Sequence, residues 1–279
     1  MRPLLFQIGS LQFHPYPAMM ALAFLVCTLL SARVGRNLKV PVFVPPQGAV
    51  WALLGGLFGA RVFHTIQFFE LKDLWTAFIL WQGGLVFYGG LIGGTISTLI
   101  YLKVTGYFSK GLADVIAPHV ALAEAIVRIG CFMNGCCWGH PTDMPWGVRF
   151  PKFSLAYQQQ VKDHLIEKGS DLPLAVHPTE LYMTVGLVIS YFILRWFLNR
   201  NPFTFATACG YFFLYGIVRF TVESFRGDSA RSVLGLTVSQ TISLSFVIGA
   251  AVVYAILERR ANRKKVEPST EQTVSPDTA

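Results

Sequence analysis

The stretch Arg128-Ile-Gly-Cys-Phe-Met-Asn-Gly-Cys-Cys-Trp-Gly139 stands at the end of an apolar run over residues 112–132. That run has the length of about twenty residues that a helix needs to cross the hydrocarbon core of a bilayer. An arginine inside such a helix costs on the order of 3 kcal/mol, and it therefore usually faces a cavity or a polar partner. The stretch thus predicts a membrane helix that ends at a polar site.

Apolar runs of similar length recur along the 279 residues, of which 53% are apolar and 14% are charged. Together with a mean hydropathy of +0.49, they indicate an all-α, polytopic membrane protein rather than a soluble domain. The predicted transmembrane helices cover residues 17–34, 48–69, 83–104, 112–132, 180–198, 204–222 and 237–257. We expect one membrane domain over residues 1–258, with an outer arm of turns and a short helix at about 140–176. A basic and then disordered cytoplasmic tail follows over residues 259–279.

The distribution of lysine and arginine predicts the orientation of the seven helices. Loops at 33–47, 103–111 and 195–203, together with the tail, carry twelve basic residues, whereas the opposite loops carry eight in a much longer sequence. Cytoplasmic loops are the richer in Lys and Arg, so we expect the N-terminus outside and the C-terminus in the cytoplasm. The net charge of +8 then reflects membrane topology, and no nucleic acid is expected as a partner.

In this orientation the polar groups of the helices fall at one depth, the outer leaflet. Arg61, Arg128 and Arg219 lie in the outer parts of helices that run outward. The other polar residues expected at this depth are His14, Tyr16, Tyr88, Glu223, Arg226 and Asp228. Guanidinium groups keep their charge and match phosphate in a bidentate fork, which favours a phospholipid head group as the ligand. The alternative is that each arginine pairs with a carboxylate, such as Glu124 or Glu223, and holds helices together.

Seven segments in a fixed order carry a resemblance to a known family. They are Ile8-Gly9 with His14-Pro-Tyr16, Gly59-Ala-Arg61, Trp81-Gln-Gly-Gly84 with Tyr88-Gly-Gly-Leu-Ile-Gly93, Asp114-Val-Ile-Ala-Pro118, Arg128-Ile-Gly130 with Phe132, Asn134-Gly135 and Trp138-Gly139, His177-Pro-Thr with Leu181-Tyr182, and Tyr215-Gly216 with Arg219, Glu223 and Arg226. The ordered set resembles the bacterial prolipoprotein diacylglyceryl transferase family over residues 8–257. The segment that begins at Arg128 corresponds to the signature of that family.

The resemblance implies seven transmembrane helices and an enzyme of the bacterial cytoplasmic (inner) membrane that works at the outer leaflet. The implied reaction moves the diacylglyceryl group of phosphatidylglycerol to the thiol of the lipobox cysteine in a prolipoprotein signal peptide. A thioether forms and glycerol phosphate leaves. The implied partners are phosphatidylglycerol, prolipoprotein signal peptides and membrane lipids. No metal or organic cofactor is expected, because the phosphate is itself the leaving group.

The resemblance also assigns roles by position in this sequence. Arg128 and Arg219 would hold the phosphate, Tyr16 and Asn134 would position the lipid head group, and Gly139 would shape the loop beside it. The residues expected to be catalytic are Arg128, Arg219, Tyr88 and Tyr16. The residues expected to bind substrate are Arg61, Asn134, Gly139, Glu223, Arg226 and His14. His177 is left open between a substrate contact and a structural role.

Three residues depart from the family pattern. Tyr88 stands where the family typically has histidine, Cys131 where it has asparagine, and Cys136 where it has glutamate. A phenol, with a pKa of about 10, is a weak base unless nearby arginines lower that pKa. Three outcomes stay open: an active transferase that uses Tyr88, a paralogue with another acceptor, or a redox or metal site built on the cysteines and His140. A phospholipid-binding protein without turnover is a further alternative. The cysteine spacing matches no standard zinc pattern, so no metal ligand is assigned.

Overall fold

Helices dominate the described part of the chain. The computed structural model describes residues 6–8, 11–13, 15–38, 40, 46–68, 87–107, 109, 111–152, 154–167, 169, 173–200, 202–227, 231–233 and 235–266. The helices in these ranges are α1 (Pro15–Asn37), α2 (Pro46–Phe68), α3 (Phe87–Val104), α4 (Leu112–Asn134), α5 (Leu155–Lys162), α6 (Thr179–Arg200), α7 (Ala206–Glu223) and α8 (Val238–Val266). The strands are β1 (Phe6–Ile8), β2 (Leu11–Phe13), β3 (Arg231–Val233) and β4 (Leu236–Thr237).

A helix lies at each of the seven positions that the apolar runs predicted, and most ends agree within three residues. The predicted residues 83–86 lie outside the described ones. By length and composition, α1, α4, α6 and the Val238–Arg263 part of α8 are able to cross a membrane, and Val50–Ile66 and Ile92–Val104 are shorter apolar helices. The protein is therefore a helical, polytopic membrane protein.

Two details differ from the prediction. The helix α8 continues nine residues past the predicted end, through the basic segment, because Glu, Arg, Ala and Lys favour a helix in water as well. Two short antiparallel hairpins, β1–β2 and β3–β4, add to the helices. Strands of two or three residues are too short to show an alternating pattern in a sequence. The predicted tail covers residues 259–279, and residues 267–279 of it lie outside the described residues.

The chain forms two compact units. One consists of residues 28–112 and the other of residues 1–27 and 113–279. The smaller unit contains α2 and α3, and the larger contains α4 to α8 together with the first half of α1.

Glycines pack α2 against α3 within the smaller unit. A methyl group added to Gly59 would lie 2.8 Å from the Cα of Gly93, and one added to Gly94 would lie 3.0 Å from the carbonyl of Ala52. The backbones approach this closely only because neither side has a Cβ, as in other membrane helix pairs with small residues at the interface. Gly93 and Gly94 thus serve the close packing of the two helices.

The helix α4 is tied to α7 in the larger unit by a buried carboxylate. Asp114 is 1% exposed and accepts hydrogen bonds from the backbone N–H groups of Phe205, at 2.6 Å, and Ala208, at 3.0 Å. Phe205 stands at the N-terminus of α7 with a φ of 72° and provides no side-chain cap of its own. Asp114 therefore supplies the acceptors that the first turn of α7 needs.

The outer arm contains the short helix that the sequence predicted. This helix, α5, begins after Ser154, whose hydroxyl accepts from the backbone N–H of Tyr157. The side chain of Gln160 bonds both the N–H and the carbonyl of Leu174, which fixes α5 to the returning chain. These contacts lie in the connection between α4 and α6.

Candidate active site

The sequence around Gly135 determines how α4 ends. Gly135 has a φ of +74°, a left-handed conformation that glycine adopts without steric cost. Its N–H donates to the carbonyl of Phe132 at 3.2 Å, and the N–H of Cys136 donates to the carbonyl of Cys131 at 3.3 Å. These two bonds form a Schellman motif, which closes a helix and turns the chain sharply away from its axis. Arg128 and Cys131 therefore lie in the last two turns, directly below the turn.

Arg128 lies between two carboxylates. Its Nη2 donates to Oε1 of Glu124 at 3.0 Å, and its Nη1 lies 3.7 Å from Oε2 of Glu180 at the start of α6. The Arg128 side chain is 18% exposed. Among the described residues, its Nε is buried and has no hydrogen-bond partner. Arg128 thus keeps one donor available in a nearly dry environment, where an anionic ligand would be held more strongly than in water.

A second cluster forms around Glu223 at the end of α7. Its Oε2 lies 3.1 Å from Nη2 of Arg219 and 3.7 Å from Nε of Arg226, and the hydroxyl of Thr237 donates to its Oε1. Nη2 of Arg219 also donates to the hydroxyl of Ser239 at 3.2 Å. A nearly fully buried carboxylate therefore orients two arginines and fixes the beginning of α8.

Glu180 connects the two clusters. It is 4% exposed and lies within electrostatic range of both Arg128 and Arg226. In the sequence Glu180 is an acidic residue in the first turn of a helix, where such a residue is stabilising without any further role. The sequence nonetheless contains a sign that Glu180 could meet Arg128. Glu180 lies at the start of one predicted helix, and Arg128 lies at the end of another on the same side of the membrane.

Gly139 lies where three segments of backbone meet. Its N–H donates to the carbonyl of His177 at 3.0 Å, and it forms an isolated bridge with Arg226. A Cβ at this position would lie 2.6 Å from the Cβ of His177 and 2.7 Å from the carbonyl of Phe225. The absent side chain thus allows the loop after α4, the start of α6 and the end of α7 to join around the two arginine clusters.

Three thiols lie together at the end of α4. The Cys136 side chain forms hydrogen bonds with those of Cys131, Cys137 and Asn134. The bonds from Cys131 and Cys137 stabilise a Cys136 thiolate and lower the pKa of that thiol well below its usual value, although burial opposes the shift. All five cysteines lie in the described residues and are thiols rather than disulfides. No cluster of three or more His, Cys, Asp or Glu side chains suited to a metal ion is found in the described parts of the chain.

Tyr16 reaches the same region from α1. A methyl group added to Gly130 would lie 2.9 Å from the Cβ of Met19 and 3.4 Å from the Cα of Tyr16, so α1 packs closely on α4. Tyr16 lies within electrostatic range of Arg128 and of the three thiols. Asn134 is the last residue of α4 and its side chain is exposed.

The structure gathers most of the predicted site residues within the larger unit. These residues are Tyr16, Arg128, Asn134, Gly139, Arg219, Glu223 and Arg226. Arg61, which is 3% exposed, and Tyr88, in the first turn of α3, belong to the smaller unit, and the side chain of Tyr88 is outside the description. His14 and Asp228 lie outside the described residues.

The sequence also allowed that each arginine pairs with a carboxylate and holds helices together. The contacts of Arg128 with Glu124 and of Arg219 with Glu223 agree with this alternative. Nevertheless, it leaves the buried Nε of Arg128 unexplained.

His177 has a structural partner in an aromatic group at the base of α6. Its Nδ1 lies 3.0 Å from the hydroxyl of Tyr182, which also accepts a hydrogen bond from Nε1 of Trp146 at 2.7 Å. The ring of His177 packs edge-on against Phe225 at a centroid distance of 5.3 Å. These contacts join the outer arm to the ends of α6 and α7 and give His177 a structural role.

Comparison with known proteins covers nearly the whole chain. The family described as prolipoprotein diacylglyceryl transferase matches residues 3–256. The chain is 31% identical to the phosphatidylglycerol–prolipoprotein diacylglyceryl transferase of Clostridium tetani, over 92% of this chain and 98% of that protein. It is 31% identical to the protein of the same name from Methylococcus capsulatus, over 93% of this chain and 97% of the other. For Pasteurella multocida the identity is 32%, over 94% of each chain.

Proposed function

The chain belongs to the prolipoprotein diacylglyceryl transferase family, and on this basis we propose that it transfers the diacylglyceryl group of phosphatidylglycerol to the lipobox cysteine of prolipoproteins. In this reaction a C–S bond forms between the cysteine sulfur and a glyceryl carbon. The C–O bond between that carbon and the phosphate breaks, and glycerol phosphate leaves with the bonding electrons. Membership in a family of transferases favours this reaction over a redox site or a lipid-binding protein without turnover.

The buried donor of Arg128 is the observation that carries the proposal. Negative charge grows on the departing phosphate, and a fixed guanidinium in a water-poor site stabilises that charge without reorganisation. Glu124 and Glu180 engage the two terminal nitrogens of Arg128 and set its orientation. The Nε–H remains for a phosphate oxygen. In this proposal Arg128 is a catalytic residue.

The second cluster supports the other side of the same phosphate. Glu223 lies between Arg219 and Arg226 and compensates one of their two charges, while Glu180 lies within electrostatic range of Arg226. We assign Arg219 to the phosphate and Arg226 and Glu223 to the glycerol head group. Asn134, at the end of α4, and Tyr16, on α1, position the lipid, and both lie close to the thiols.

The remaining proposed residues are assigned by their positions in the sequence. We assign Tyr88 as a hydrogen-bond donor or base for the attacking thiol, and Arg61 and His14 as further lipid contacts. An attacking thiol needs deprotonation or a cationic neighbourhood, since the thiolate is the nucleophile. Arginines beside it would meet that need.

The proposed topology has seven transmembrane helices in one membrane domain over residues 1–258, followed by a cytoplasmic tail. The N-terminus is outside, the C-terminus is in the cytoplasm, and the site opens to the outer leaflet of the inner membrane. The support is the excess of Lys and Arg in one set of loops and the helices at all seven expected positions.

Complementation of a bacterial strain depleted of its own transferase tests the function. The wild-type chain should restore growth, while Arg128→Ala and Arg219→Ala should not, because loss of one positioned donor costs on the order of 100- to 1,000-fold in rate. The control is Arg260→Ala, which removes the same charge from an exposed position of α8.

Purified variants in vesicles give the direct measurement. Transfer of a labelled diacylglyceryl group from phosphatidylglycerol to a lipobox peptide should follow the same order among the variants. A wild-type protein that is inserted in the membrane but transfers no label would refute the function. Full transfer by both arginine variants would refute the phosphate site alone.

A further inference from the structure

The end of α4 brings two cysteines together for a reason that does not depend on the transferase reaction. In a Schellman motif, the third residue before the cap and the second residue after it lie side by side, and they often form a contact. Here these positions are held by Cys131 and Cys136, on either side of the turn at Gly135. The Cys136 Sγ lies 3.5 Å from the carbonyl oxygen of Cys131. The backbone itself thus places these two thiols next to one another.

The surroundings give the two thiols different properties. Cys131 is 7% exposed, whereas Cys136 is only partly buried and can meet a reagent from outside. Hydrogen bonds from Cys131 and then Cys137 favour the thiolate of Cys136, which lowers the pKa of that thiol. A thiolate that is accessible and has a second thiol beside it is the arrangement that attacks disulfides.

Cys137 is less suited to be the second thiol. It has a φ of +60°, and its carbonyl accepts a hydrogen bond from the hydroxyl of Thr179, which fixes this strained part of the loop. A bond between adjacent cysteines also closes a very small ring, for which the usual separation of the two Cα atoms is hard to reach. Cys131, across the turn, has no such restriction.

We propose that Cys131 and Cys136 form a thiol–disulfide exchange site for small or peptide disulfides, with Cys136 as the attacking and Cys131 as the resolving residue. The Cys136 thiolate attacks one sulfur of the disulfide, a mixed disulfide forms, and the other sulfur leaves as a thiolate. Cys131 then attacks Cys136, giving up its proton to the solvent, and the second sulfur leaves. The protein loses two electrons and two protons, and the disulfide becomes two thiols.

The test uses the full-length wild-type protein in detergent and 4,4′-dipyridyl disulfide as the probe. Each molecule of probe should release two pyridinethiones and leave no adduct on the protein. After alkylation and digestion with trypsin, the peptide from Ile129 to Arg149 carries all three thiols of the cluster. Its mass should show an internal disulfide, with only Cys137 alkylated. A pyridyl adduct that stays on Cys136, or a disulfide that contains Cys137, would overturn the proposal.

Three variants separate the roles of the thiols. Cys136→Ser should lose the fast release of pyridinethione, and Cys131→Ser should retain the adduct because nothing resolves it. Cys137→Ser should still form the disulfide. Cys209→Ser is the control, since this buried thiol of α7 lies outside the cluster. Because the readout is the state of the thiols, it is independent of diacylglyceryl transfer.

Discussion

At the scale of single residues, Gly139 has little freedom to change. The three backbone segments around it leave no space for a methyl group. We expect Gly139→Ala to lower the free energy of unfolding by about 1–3 kcal/mol, because the inserted carbon must push backbone atoms apart. Thermal unfolding in detergent measures the change.

Gly249→Ala is the matched control for this substitution. Gly249 lies in α8 with no atom within 4 Å of an added Cβ. The alanine should leave stability unchanged or raise it by about 0.5–1 kcal/mol, as alanine favours a helix. Equal unfolding temperatures for the Gly139 and Gly249 variants would contradict the close backbone packing around Gly139.

Sequence reasoning identified the arginines more easily than their partners. A cation in an apolar run stands out, so Arg128 and Arg219 were predictable, and so was Glu124, one helical turn before Arg128. Glu180 was not recognised as a partner, since an acidic residue in the first turn of a helix is already satisfied by the helix itself. Which of these residues meet depends on the packing of α4 against α6, and a single sequence does not contain that information.

At the scale of elements, the close packing of α2 against α3 through glycines leads to a testable prediction. A methyl group on Gly93 would lie 2.8 Å from the Cα of Gly59, whereas one on Gly90 would lie 3.4 Å from the Cβ of Ala60. Gly93→Ala should therefore separate the helices and lower the unfolding temperature by several degrees. Gly90→Ala, in the same helix, should be tolerated. If both variants unfold like the wild type, the close backbone packing of this pair is wrong.

The helices could be predicted from hydropathy, because a run of apolar residues has no stable alternative to a helix in a bilayer. The boundary of α8 did not follow, since its last turns have left the apolar run and continue on helix propensity alone. The capping of α7 by Asp114 could not be predicted either. A carboxylate in the sequence of α4 does not indicate which other helix its side chain contacts.

At the scale of the whole molecule, the orientation in the membrane is open to a direct test. A green fluorescent protein fused after Ala279 should fluoresce, and an alkaline phosphatase fused there should be inactive, because both results indicate the cytoplasm. The reverse pair is expected for fusions after Gly227, between α7 and α8. Active phosphatase at the C-terminus would show that the topology is the reverse of the proposed one, with the site at the inner leaflet.

The cap of α7 by Asp114 has a consequence for how the protein is made. The carboxylate precedes its partner at Phe205 by 91 residues, so α4 leaves the ribosome and enters the membrane well before α7. The first N–H groups of a helix have no acceptors within that helix, and hydrocarbon offers none. The two hydrogen bonds from the first turn of α7 to Asp114 therefore form only once α7 lies beside α4.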